Sequence, residues 1–295
     1  MKTKHILLAV LVTAIWGANF SVIKLGLTSV DPFLLAGIRF ALCAIPAVFI
    51  LRRPQVGIGY LASYGLLFGV GLWGVVNLGI QAGLSAGIAS LVLQFSAFFT
   101  ILLGSFVFKE SISRYQYAGI VLALIGLAAI ITITDGSVST LGVALVVIGA
   151  LSWSVANIII KRAGTKDVLA FLVWSSLFSP VPLFAIALFQ HGTQIYVETL
   201  SRLNWSAIFS ILFQVYPTTL FGYWAWNKLL KTYPVSRVAP LSLLVPIFGM
   251  VGSVLVFGEH IGTPKVAATA LVVLGLAIGL YGKQISGVIL RRAQI

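Results

Sequence analysis

Apolar residues run along this chain in stretches of about 20, each long enough to cross a hydrocarbon layer of about 30 Å as a helix. Short polar turns separate them. The pattern predicts ten helices, near 6–27, 32–51, 60–79, 84–108, 115–134, 141–160, 169–190, 205–228, 236–258 and 265–282. Turn chemistry supports the gaps. Asp31 before Pro32 is an N-cap followed by proline at the first helical position. Arg52-Arg53-Pro54, Asp135-Gly136 and Tyr233-Pro234 break the chain elsewhere.

Composition agrees. Of the 295 residues, 60% are hydrophobic and 8% charged, where a soluble domain carries about 25% charged residues. A water-soluble globule is excluded, and ten spans leave no room for a soluble domain of ordinary size. A single cysteine, Cys43, excludes an internal disulfide and a cysteine-based metal cluster. The net charge of +13 does not point to nucleic acid, because no basic run exceeds two residues and the basic groups sit in turns.

Those groups instead set an orientation. With the N-terminus placed inside, only Lys24, Arg202 and Lys265 fall on the outer side, and Arg39 falls within a span. Every other Lys and Arg lies inside, which predicts cytoplasmic N- and C-termini. Lys2, Lys4 and the run behind them look like the start of a signal peptide. The run continues through Leu27 without a small-residue cleavage site, so a retained helix is expected.

The chain also repeats itself. Val107-Phe108-Lys109-Glu110-Ser111-Ile112 recurs as Val256-Phe257-Gly258-Glu259-His260-Ile261. Trp16 precedes Lys24 by the same spacing as Trp153 precedes Lys161. The two offsets differ, and the long outer loop at 190–204 absorbs the difference. A duplication follows, with one five-helix repeat at 6–134, a second at 141–282 and a cytoplasmic tail at 283–295. Five is odd, so the second copy enters the membrane from the other side. The expected fold is an all-α membrane protein of two inverted five-helix repeats, with a substrate site between them near the midplane.

Ala86 to Glu110 runs AGIASLVLQFSAFFTILLGSFVFKE, and Arg237 to Pro246 runs RVAPLSLLVP. With Trp16-Gly17-Ala18-Asn19-Phe20 and Arg39-Phe40, these segments resemble the EamA family of the drug/metabolite transporter superfamily. Within it they are most similar to bacterial exporters of amino-acid metabolites such as cysteine and O-acetylserine. The resemblance implies a ten-helix inner-membrane carrier working by alternating access. Small multidrug relatives in the superfamily use a carboxylate in their first helix. This chain has Asn19 there and no acid, which argues against antiport of cationic drugs.

Polar groups at membrane depth are costly and usually face the bundle or an aqueous cavity. Near the midplane, the first helix offers Trp16 and Asn19, the fourth Ser90 and Gln94, the sixth Trp153 and Asn157, and the eighth Gln214 and Tyr216. Ser242 lies on the ninth between two prolines. In an inverted repeat the first helix matches the sixth and the fourth the ninth, which favours one central cavity. Amides and hydroxyls suit a zwitterion, with Trp and Tyr as apolar walls. The alternative is that these groups only bridge neighbouring helices. Trp73, Trp174, Trp224 and Trp226 are expected in interfacial or packing roles. Arg39 is expected to snorkel, bonded to carbonyls or Asp31, rather than to bind a substrate carboxylate. Glu110 and Glu259 are expected to cap helix ends and pair with Lys109 or Lys265, with a gate contact as the alternative.

No Asp or Glu lies in mid-span, and His5, His191 and His260 sit near helix ends. Neither HExxH nor a Walker motif is present, so enzyme chemistry and an ATP-driven pump are not expected, and no cofactor or metal is called for. The expected function is export of small amino acids or their metabolites across the bacterial inner membrane. The expected partners are that solute and lipid, not nucleic acid, in a monomer or homodimer. Two alternatives stay open: a carrier for another metabolite or drug, proton-coupled or not, and a membrane subunit that transports nothing.

Overall fold

The computed structural model describes residues 1–292, with side chains for all of these except 235, 236 and 283–292. Among the described residues every regular element is helical. The helices are α1 (Thr3–Gly26), α2 (Pro32–Phe49), α3 (Ile58–Gln81), α4 (Ala86–Phe108), α5 (Arg114–Ile131), α6 (Thr140–Ala163), α7 (Val168–His191), α8 (205–232), α9 (Ala239–Phe257) and α10 (Thr263–Arg292). A short helix, Gln194–Ser201, lies between α7 and α8. The expected tail at 283–295 is helical to Arg292, and its last three residues lie outside the described ones.

The ends form as local chemistry dictates. Asp31 Oδ1 accepts from the amides of Phe33 and Leu34 at 2.9 and 3.0 Å, and so starts α2. Ser113 and Gln116 form a reciprocal capping box at the start of α5. The interiors are less regular. Residues Leu66–Gly74 of α3 and Gln214–Phe221 of α8 form wide π-helical turns, the second around Pro217. A π-turn leaves backbone groups looking for partners, and such turns gather at functional sites.

Among the described residues nine helices, all but α8, are long and apolar enough to cross a membrane; α10 contributes Thr263–Gly282. Large apolar side chains face outward, with Phe106 86% exposed and Phe189 88% exposed. Water does not tolerate such a surface, and lipid requires it. α8 falls short because its centre carries Gln214, Tyr216, Pro217, Thr218 and Thr219. Gln214, Thr218 and Thr219 are buried within the bundle, so the polarity that lowers its hydropathy faces protein.

α1 packs along α9, and α6 along α4. α3 packs along α6, and α8 along α1. α2 lies against α7, while α5 and α10 pack chiefly on each other. Lipid tails are as apolar as leucine, so close packing must supply the attraction between helices. The α1–α9 crossing depends on Gly17. A Cβ there would lie 2.5 Å from Phe248 Cβ and 2.6 Å from the Val245 carbonyl oxygen.

Candidate functional site

α1, α2, α3, α4, α6, α8 and α9, with Val168 at the start of α7, surround a cavity of about 730 Å³. It runs from mid-helix residues to Lys161, Gly164 and Thr165 at the end of α6. Of the eight residues singled out from the sequence, Trp16, Asn19, Ser90, Gln94, Trp153 and Asn157 line it, as does Ser242.

Their roles differ. Trp16 Nε1 donates to the Thr218 carbonyl at 3.0 Å, and its ring lies 5.4 Å from Tyr223 and 5.2 Å from Trp226. Asn19 Oδ1 accepts from Thr218 Oγ1 at 3.1 Å. The π-turn of α8 thus supplies both partners of this face of α1. Asn157 Nδ2 donates to Thr100 Oγ1 at 3.3 Å, bridging α6 to α4. Ser90 Oγ donates to the Gly87 carbonyl at 2.7 Å, which commits its proton to its own helix.

Two of the eight lie elsewhere. Gln214 is sealed into the bundle, with Oε1 accepting from Arg39 Nη1 at 3.4 Å and Nε2 donating to Ser210 Oγ at 3.1 Å. Tyr216 is 49% exposed and lines no part of the cavity. Residues two apart on a helix do not share a face, so burial of Gln214 turns Tyr216 outward.

Arg39 departs furthest from expectation. It does not snorkel. It is fully buried, bonded among the described residues neither to backbone carbonyls nor to Asp31, and borders the cavity. Nε and Nη2 donate to Thr219 Oγ1 at 3.2 and 3.0 Å, and the guanidinium carbon lies 4.3 Å from the centre of the Trp73 ring. Trp73, Tyr64, Thr218, Tyr223, Trp226 and Asn227 also line the cavity without having been singled out for it. The one signal that marked this region was a charge alone within an apolar span. Trp73 and Trp226 carried none that separates a cavity wall from an interfacial tryptophan.

The duplicated Phe-x-Glu motifs take partners other than those expected. Glu110 reaches Lys161 on α6 at 2.6 Å, and Glu259 reaches Lys24 on α1 at 2.8 Å. In each case the lysine also sits over the motif's own phenylalanine: Lys161 is 4.3 Å from the Phe108 ring centre and Lys24 is 4.4 Å from that of Phe257. Lys109 and Gly258, between Phe and Glu, both take left-handed backbone, with φ of 54° and 64°. That reverses the chain after each helix and carries the glutamate back over the bundle. Lys265 pairs instead with Asp135 at 2.8 Å. Burial opposes ionisation of Asp135, but hydrogen bonds from Lys265 and Ser137 outweigh it and hold the carboxyl at about 2. Burial likewise opposes ionisation of Glu259, and the bond from Lys24 outweighs it, so this carboxyl also lies below its ordinary value.

The model of the EamA-like transporter family matches the chain twice, at residues 3–132 and 140–281. A protein of Salmonella typhimurium named "Probable amino-acid metabolite efflux pump" is 38% identical over 96% of both chains. One of the same name from Escherichia coli is 37% identical over 96% of both. An uncharacterized transporter of Archaeoglobus fulgidus is 26% identical over 93% of this chain and 98% of its own. A solved crystal structure shares the fold at a TM-score of 0.59, with 18% identity over 95% of this chain and 98% of that one. Two family matches that together span both halves, and relatives of this identity over nearly the full length, make this chain a transporter belonging to the EamA-like transporter family.

Proposed function

We propose that this protein exports small amino acids or their metabolites across the inner membrane of a bacterium by alternating access. The cavity carries the proposal. It is roomy, reaches mid-helix depth, and is lined by amides and aromatic rings, as a site for a small polar solute should be. The names of the Salmonella and Escherichia relatives support the solute class.

In this reading α8 crosses as well, giving ten spans in two inverted repeats. The packing supports it: α1 on α9 has its counterpart in α6 on α4, and α3 on α6 in α8 on α1. Both third helices of the repeats carry a π-turn, and both Phe-x-Glu motifs hold a lysine from the opposite half. The sorting of positive residues supports cytoplasmic termini. The mouth beside Gly164 and Thr165 then opens to the cytoplasm, and the Lys24–Glu259 pair closes the outer end. A cysteine at exposed Thr193, in a Cys43→Ser background, is expected to react with an impermeant thiol reagent from outside, and one at exposed Gln55 is not. The reverse pattern overturns this orientation.

Efflux of a solute that accumulates in the cytoplasm needs no coupled ion. Glu259 and Asp135 have lowered pKa values, so their pairs persist until pH falls through those values and neither exchanges protons near neutrality. No Asp or Glu among the described residues lines the cavity, and the reading is facilitated efflux. Counterflow in proteoliposomes with a panel of labelled amino acids tests it: exchange of at least one of them is expected. No exchange of any amino acid in the panel would overturn the proposed solute class.

Gln94 sits at the break in α4, and among the described residues no group bonds to its side chain. Gln94→Ala should therefore slow counterflow without loosening the fold. Asn157→Ala should also slow it, by about fivefold or more if a lost polar contact costs ~1–3 kcal/mol. Full transport by both variants would make these amides bundle contacts only.

A further inference from the structure

We propose that Arg39 is the centre of a carboxylate-binding subsite, and that the transported solute must carry a carboxylate but need not carry a free amine. The inference rests on the transport reading above and concerns the same cavity.

Arg39 is a buried cation whose hydrogen-bond partners, Thr219 and Gln214, are both neutral. Among the described residues it joins no ion pair, and no Asp or Glu lines the cavity. A guanidinium has five N–H donors, and these bonds use three of them. A cation kept at this depth without a counter-ion is costly, and function is the usual reason for it.

The neighbouring groups point the same way. Among the described residues, three buried polar atoms of cavity-lining residues have no partner: Asn19 Nδ2, Trp73 Nε1 and Asn227 Nδ2. All three are donors. Trp73 stacks on Arg39, and Asn19 and Arg39 bond to Thr218 and Thr219, adjacent residues of the α8 π-turn. A cation with donors to spare, beside two unfilled N–H groups, calls for a ligand that only accepts. An ionised carboxylate is that ligand. No matching acid awaits an ammonium group, so the amine can be free or acylated.

The test titrates the full-length protein in nanodiscs by calorimetry with three matched probe sets. These are L-amino acids, their N-acetyl derivatives, which keep the carboxylate, and their C-terminal amides, which lose it. Amino acids and N-acetyl derivatives are expected to bind, and amides about tenfold or more weaker. Arg39→Gln should erase that preference. Trp73→Phe keeps a ring over the guanidinium and removes the N–H. It should weaken carboxylate probes severalfold and leave amides unchanged, so the proposal stays testable if Arg39→Gln fails to fold. A purely structural Arg39 would lower all probes together. Amides binding as tightly as acids, N-acetyl derivatives failing to bind, no binding by any carboxylate, or an equal loss of all probes in Trp73→Phe would each overturn the proposal. Counterflow separates the two readings. Amides exchanging as fast as acids leaves transport standing and removes the carboxylate subsite. A carboxylate preference in binding with no counterflow does the reverse.

Discussion

Lys24→Glu is expected to cut export by about tenfold or more while the protein still inserts and folds. The pair it breaks ties the end of α1 to the turn after α9, at 2.8 Å, with the two side chains 33% and 16% exposed. Exposed pairs contribute ~0–1 kcal/mol and buried pairs cost ~3–5 kcal/mol to break. This pair lies between, at about 2 kcal/mol, which shifts a two-state balance about thirtyfold. Reversing the charge adds repulsion between two carboxylates, so the outer end should stand open for longer. A cysteine at Ala97, which lines the cavity, reports this directly. It should become reactive to an impermeant reagent from outside in Lys24→Glu, and protected again when Glu259→Lys is added. The counterpart pair, Lys161–Glu110, has side chains 54% and 55% exposed, so Lys161→Glu should disturb this conformation far less. Normal export and no outside labelling in Lys24→Glu would show that the pair is not a gate.

Thr219→Val is expected to destabilise the bundle strongly. One hydroxyl oxygen accepts both the Nε and Nη2 hydrogen bonds of Arg39 and donates to the Gln214 carbonyl at 2.7 Å. Valine has nearly the same shape and accepts nothing. The guanidinium stays buried, so the loss leaves a charged donor group without its main acceptor, at about 3 kcal/mol. The π-turn also loses the side chain that satisfies one of its carbonyls. In detergent the apparent unfolding temperature should fall by roughly 5–10 °C. Thr219→Ser should restore it, and Thr218→Val, which removes only the neutral bond to Asn19, should cost less. An unchanged unfolding temperature in Thr219→Val would mean that Arg39 is held by other acceptors.

What the sequence determined alone is what rests on neighbours along the chain. Helix formation depends on bonds four residues apart, and lipid solvation on runs of apolar side chains, so the spans and the caps at Asp31 and Ser113 could be read directly. The charge sorting and the repeated Phe-x-Glu motif were equally plain. Depth along each helix was legible too, which is why six of the eight proposed site residues meet in one cavity. Rotation of the helices was not. Spans that are apolar all round carry no stripe to mark the face turned inward, and lipid offers no hydrophobic force to impose one. Only the packing of helices distant in sequence decided that Gln214 turns inward to Arg39 and Tyr216 outward. It decided as well that Glu259 finds Lys24 rather than Lys265. Arg39 on α2 reaches Thr219 on α8 because close packing brought two helices distant in sequence together at that depth.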